Sequence, residues 1–180
     1  MSPDLRGVMR TFATGVCVAG TYRDTADGRR HDAVTVNSLG SISLEPPLIS
    51  LAFRRGSRFL GDLLATRMWV VSILPAHAGN VARRLATPHP ERVRHLDSLA
   101  VRPGTHTGAL ILDGAAWLEC DLRDRFDLGD HTLVIGNVLA TGHDQAAPTL
   151  VFLHGRYHTI TEPGRTTVDL SGPGHWGEAL

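Results

Sequence analysis

A mainly β fold with inserted helices, closing towards a barrel with helical lids, is what this sequence predicts. Three observations lead there. Strand-like runs recur between residues 15 and 160, short helical stretches interrupt only some of them, and 42% hydrophobic composition over 180 residues supplies one sizeable core. Many antiparallel strands leave exposed edges, which closure removes.

The elements follow in order. DLRGVMRTFA, residues 4 to 13, sets Leu5, Val8, Met9 and Phe12 at helical spacing, with Asp4 favourably near the helix N-terminus. Gly15 then releases the chain into GVCVAGTYR and HDAVTVNSL, two strands around DTADGR, whose Asp27-Gly28 pair signals a hairpin. PPLISLAF is a third strand, GSRFLGDLLATR a short helix, MWVVSIL a fourth, nearly all-apolar strand, and HAGNVARRLA a further helix. TPHPERVRHL, residues 87 to 96, reads as a surface connection. GAAWLECDLRDRF, HTLVIGNVLATGH, LVFLH and RYHTI complete the strands. One domain is expected over residues 1 to 161, followed by a tail or arm, residues 162 to 180, outside the barrel core.

Eighteen basic and eighteen acidic residues cancel, so no global field would gather nucleic acid or an anionic membrane. The N-terminus has no long apolar region and no later run approaches a membrane span, which predicts a cytoplasmic protein. Cys17 and Cys120 sit in apolar, strand-like runs and read as buried reduced thiols. No H-E-x-x-H or Cys-x-x-Cys supports a metal site, and no G-x-S-x-G elbow offers a hydrolase nucleophile. GPGHWG, residues 172 to 177, spells G-x-G-x-x-G too close to the C-terminus for a crossover helix.

Two local features remain. In AVTVNSLGSISL, Val34, Val36 and Ile42 fall on one parity and Thr35, Asn37, Ser41 and Ser43 on the other, so a strand would send aliphatics to the core and show a polar row opposite. RRGSRF follows, with Arg54, Arg55 and Arg58 around Gly56-Ser57 at a strand-to-helix junction suited to a phosphate. The second feature is LGDHTLVIGNV, where Gly129-Asp130-His131 precedes an apolar strand and the histidine can hydrogen-bond a ligand amide or phosphate. A solvated strand face, a solvated turn and a surface histidine stay open as alternatives on residue chemistry alone.

Taken in order, FATGVCVAG, TVNSLGSISLEPPLISLAF, VVSIL, GAAWLECDL, GDHTLVIGNV and LVFLHGRYHTI resemble the flavin reductase-like family from about Met9 to Ile160. The resemblance implies the FMN-binding split β-barrel and an NAD(P)H-dependent flavin reductase supplying reduced FMN or FAD to a partner monooxygenase, with NADH or NADPH as hydride donor. It implies a homodimer with flavin sites near the subunit interface. By position, Thr35, Val36, Asn37 and Ser38 would contact the isoalloxazine and ribityl chain, partly through backbone groups, with Ser41 and Ser43 towards the ribityl-phosphate end. Arg54, Ser57 and Arg58 match the phosphate segment, and His131 matches the histidine beside the nicotinamide, with Gly129 and Asp130 shaping its turn. Ala33 stands where relatives commonly have glycine, and its methyl is expected to narrow the approach to the flavin ring. A flavin-binding electron carrier and a non-enzymatic barrel are the rival readings.

Overall fold

The structure, a computed structural model, describes residues 3 to 144 and 147 to 160. In chain order the elements are α1 (Leu5–Met9), β1 (Thr14–Gly15), β2 (Cys17–Thr25), β3 (Gly28–Val36), β4 (Gly40–Leu44), β5 (Pro47–Arg54), α2 (Arg58–Thr66), β6 (Met68–Ile73), α3 (Gly79–Leu85), α4 (His89–Leu96), β7 (Val101–Pro103), β8 (Leu110–Leu112), β9 (Ala116–Leu128), β10 (His131–His143), β11 (Leu150–Leu153) and β12 (Arg156–Thr159). The expected tail, residues 162 to 180, lies outside the described residues.

Seven strands pair antiparallel in the order β3-β2-β6-β9-β10-β5-β4. The end strands β3 and β4 are consecutive in the chain but do not pair, so the sheet wraps round and stays open as a split barrel. Ser38 occupies the seam. Its hydroxyl donates to the Ala52 carbonyl at 3.3 Å and accepts the Ala52 N–H at 3.1 Å, so a side chain does the work of a backbone rung beyond the Gly40–Ser50 pair.

One face of the sheet builds the barrel core. Ala19, Val34, Leu51, Trp69, Leu122 and Val134, one from each of six strands, point inward, and Phe59, Leu60 and Leu63 of α2 pack against them. A second core covers the opposite face of β2 and β3, where Val18 and Ala33 meet Ala82 and Leu85 of α3, Leu96 of α4 and Tyr157 of β12.

Residues 89 to 96 form helix α4, where a surface connection was expected. Pro90 falls in the first turn, where its missing N–H interrupts no helical bond, and Arg92 and Leu96, one turn apart, both face inward. Arg92 donates from Nε and Nη2 to the Asp32 carboxylate of β3 at 2.9 and 2.8 Å. Periodicity conceals this helix because one of its two buried positions is an arginine. Ile42, expected in the core, is 54% exposed, because β3 ends at Val36 and the chain turns before β4 begins at Gly40. The first helix is shorter than its apolar spacing suggests and keeps Leu5, Val8 and Phe12 exposed, with Asp4 capping the Gly7 N–H at 2.9 Å.

Glu119 of β9 is fully buried and holds the β7–β8 loop to the barrel. Its carboxylate accepts the N–H groups of Thr105, His106 and Thr107 at 3.1, 2.9 and 2.8 Å and the Thr107 hydroxyl at 2.8 Å. Burial pushes its pKa up, but the bonds from Thr107 and His106 prevail and hold it below the ordinary 4.5. A depressed folded pKa contributes stability that is complete above the unfolded value and is lost as pH falls through the folded one. Replacing Glu119 by alanine should therefore cost on the order of 3 kcal/mol in urea unfolding at pH 7, because buried N–H groups lose their acceptor. Glu119→Gln should flatten the fall in stability below pH 4.5 relative to the parent chain.

Candidate active site

β5 is the spine of the site. Leu51 and Phe53 point into the core, so Ser50, Ala52 and Arg54 face outward. On one side Gly40 lies opposite Ser50 and Ser38 bonds Ala52. On the other, β10 sets Ile135 opposite Ser50, Leu133 opposite Ala52 and His131 opposite Arg54. Rows two residues apart are separated by about 7 Å, so Ser38 stands one row from the Arg54–His131 pair.

β5 leaves this strip through a tight turn. The Ser57 N–H donates to the Arg54 carbonyl at 3.2 Å, and Gly56 takes φ +74°, which glycine adopts without strain. Ser57 then caps α2, its hydroxyl accepting the Leu60 N–H at 3.3 Å. Arg54, Arg55 and Arg58 are exposed around this helix start. Arg58 Nε is 4.0 Å from one oxygen of Asp62, and Arg23 pairs with the other, so part of the Arg58 charge is already balanced. Guanidinium groups beside the first amides of a helix favour a phosphate.

The β9–β10 turn comes up against the same corner. Gly129 has φ +60°, and the exposed Asp130 carboxylate is 2.9 Å from His131 Nδ1. That hydrogen bond, with the charge attraction of the ring's protonated form second, holds the Asp130 carboxyl below its ordinary range. An ionised carboxylate can only accept, so Nδ1 carries the proton, and in the neutral ring Nε2 is the acceptor. Nε2 is buried and has no hydrogen-bond partner among the described residues. Arg55 ties this turn to the other, its N–H donating to the Asp130 carbonyl at 2.9 Å and its Nη1 to the Gly129 carbonyl at 3.2 Å.

Ser38, Arg54, Ser57, Arg58, Gly129, Asp130 and His131 are thus gathered at one end of the strip. Thr35 and Val36 do not present side chains there. The fully buried Thr35 hydroxyl donates to the Ala82 carbonyl of α3 at 2.8 Å, and Val36 points into the barrel core, which leaves only backbone groups for a ligand. Asn37 donates from its side-chain amide to Thr14 Oγ1 at 3.3 Å, while Ser41 is exposed and Ser43 half-buried on the edge strand β4. The alternation of residues 33 to 43 is therefore two strands and a corner, not one continuous polar face. The Ala33 methyl packs in the second core, away from the strip. Sequence reading noticed Arg55 only as one of three arginines, because the carbonyl it holds lies 74 residues away.

A model described as flavin reductase like domain matches residues 9 to 161. An NADH:FMN oxidoreductase of Rhodococcus qingshengii is 32% identical over 186 residues, covering 91% of this chain and 94% of that protein. The reductase subunit HsaB of a flavin-dependent monooxygenase from Mycobacterium tuberculosis is 30% identical over 182 residues, covering 97% of this chain and 88% of its own. A probable flavin reductase of Rhizobium meliloti is 32% identical over 161 residues, and the chain spans 50% of its length. The solved NADH:FAD oxidoreductase of Streptomyces globisporus, in complex with NAD and FAD fragments, has a TM-score of 0.80 and 27% identity over 89% of this chain and 93% of that one. A family model matched over residues 9 to 161, most of the chain, leads to one conclusion: this chain belongs to the flavin reductase like family.

Proposed function

We infer that this chain is an NADH-dependent flavin reductase that supplies reduced FMN or FAD to a partner flavin-dependent monooxygenase. The observation that carries the reading is the Arg54–His131 cross-strand pair, which sets the arginine-rich helix start beside a histidine whose Nε2 has no hydrogen-bond partner among the described residues. Such a buried polar atom costs about 1–3 kcal/mol until a partner arrives. Relatives named for NADH, FMN and FAD supply the matching chemistry.

A bound flavin supplies the acceptor for a hydride from the reduced nicotinamide. The protein's residues align the two. Arg54, Ser57, Arg58 and the first amides of α2 would hold the flavin phosphate, and the backbone from Thr35 to Ser38 would support the ring and ribityl chain. The Gly129-Asp130 turn presents His131 to the nicotinamide. Arg54 and Leu128 lie opposite the histidine on the neighbouring strands, and both side chains are exposed. Hydride transfer between aligned rings calls for orientation more than proton removal, so His131 acts as a hydrogen-bonding group and not as a general base.

A homodimer and a cytoplasmic setting complete the reading. Phe126 and Leu128, opposite Leu133 and His131, are 52% and 58% exposed and form an apolar patch that a second copy would cover. Burial pushes the Cys17 and Cys120 thiols up to about 12, and buried free thiols suit a reducing compartment. Sedimentation equilibrium should return a dimer at micromolar concentration, and a monomer there would remove the dimer from the reading.

Arg58→Ala, alone and with Ser57→Ala, should weaken FMN by about tenfold to a hundredfold in a fluorescence titration, as expected for charge-assisted bonds, and riboflavin far less. The single variant leaves the α2 cap intact, and equal weakening of both ligands would remove the phosphate assignment. Replacing His131 by alanine should raise the KM for NADH or slow hydride transfer, at a cost of roughly 0.5–3 kcal/mol, while oxidised flavin binds as before. Stopped-flow reduction at saturating flavin checks this, and a parental rate across the full NADH titration would exclude the role.

A further inference from the structure

We propose that Arg55 is a positioning residue for His131, clamping the Gly129-Asp130 turn to the start of α2 so that the phosphate corner and the histidine turn behave as one rigid unit. The proposal rests on the reading of His131 as the nicotinamide-side group. Arg55 is bonded to the turn twice. Its N–H bond to the Asp130 carbonyl continues the β5–β10 ladder past the Arg54–His131 pair, and almost any residue would make it. Its guanidinium bond to the Gly129 carbonyl depends on the side chain. Gly129 is where such a bond matters most. It sits at φ +60°, no described residue beyond its two chain neighbours lies within 4 Å of where a Cβ would be, and glycine has the widest backbone freedom of any residue. An outside donor therefore restrains a peptide that has no side chain of its own to hold it.

Asp130 completes the clamp from the ring side. With Nδ1–H held by the Asp130 carboxylate, the His131 ring in its neutral form offers Nε2 as an acceptor in one orientation, suited to an amide N–H such as the nicotinamide carboxamide. The three arginines of the corner then divide into two roles. Arg54 and Arg58 remain beside the phosphate position, whereas Arg55 is spent on a carbonyl of the opposite turn. A direct phosphate ligand at position 55 is the competing assignment, and the two differ in what they predict for FMN against riboflavin.

The test uses the full chain with Arg55→Ala, Arg55→Lys, His131→Ala and the double variant Arg55→Ala/His131→Ala. The imidazole nitrogen NMR signals of His131, assigned by their loss in His131→Ala, should show one tautomer in the parent chain and an averaged one in Arg55→Ala. At saturating FMN, Arg55→Ala should raise the KM for NADH about threefold to tenfold, the effect of one lost hydrogen bond, with Arg55→Lys recovering part of it. In the His131→Ala background the Arg55→Ala change should add nothing, and the FMN-to-riboflavin affinity ratio should stay at the parental value. An unchanged His131 signal in Arg55→Ala, a fully additive double variant, or a selective loss of FMN over riboflavin would each overturn the proposal. If His131→Ala leaves the KM for NADH unaltered while Arg55→Ala still disturbs the His131 signal, the clamp stands and the nicotinamide reading falls.

Discussion

Leu51 lies opposite Val134 on the inward face of β5 and β10, Arg54 lies opposite His131 on the outward face, and the two pairings are a single constraint. Side chains alternate with period two, so slipping this pair by one residue would carry Arg54 into the core and Leu51 into water. Burying each aliphatic or aromatic side chain contributes about 1.5–3 kcal/mol, and Ile49, Leu51, Phe53 and Val134 all favour the same register. The polar pair has no comparable hold on its own position. Apolar burial on the far side of the strands is what brings an arginine-rich corner and a histidine turn together.

The helices and loops serve that register indirectly. α2 plugs the barrel with Phe59, Leu60 and Leu63 while its Ser57-capped start lies at the arginine-rich corner, so the same helix is anchored at one face and exposed at its tip. α3 and α4 cover the back of β3, and the buried Asp32–Arg92 pair fixes how α4 lies along that edge strand. Ion pairs removed from water add little net stability, since desolvation offsets attraction, but they penalise misplacement heavily. Glu119 plays a similar part for the β7–β8 loop, through backbone N–H groups instead of a counter-ion.

The strands that alternate or run apolar at the right length were legible in the sequence, as were the hairpin at Asp27-Gly28 and the helix after Arg58. α4 was not, because Arg92 fills an inward position that periodicity reads as polar, and its partner Asp32 is 60 residues away. The residue types of the candidate site stood out, but their faces did not. Thr35 and Ala33 share a parity with the supposed polar row, yet α3 and its neighbours cover that part of the sheet. Which stretch of an outward face stays open is decided by elements that pack later in the chain. Arg55 shows the same limit, since the carbonyl that gives it a distinct task belongs to a turn joined to it only by strand pairing.

The seam between β3 and β4 has a mechanical consequence. Six junctions in the seven-stranded sheet are backbone ladders, whereas β3 and β4 do not pair, and Ser38 in the connection between them is tied to β5 by the two bonds its hydroxyl makes to Ala52. Leu39, packed against the barrel core from the next position, keeps the corner seated when those bonds let go. Breaking those two side-chain bonds would open no backbone ladder. Opening at this margin would strain one hydroxyl contact and leave the backbone ladders of the sheet at rest.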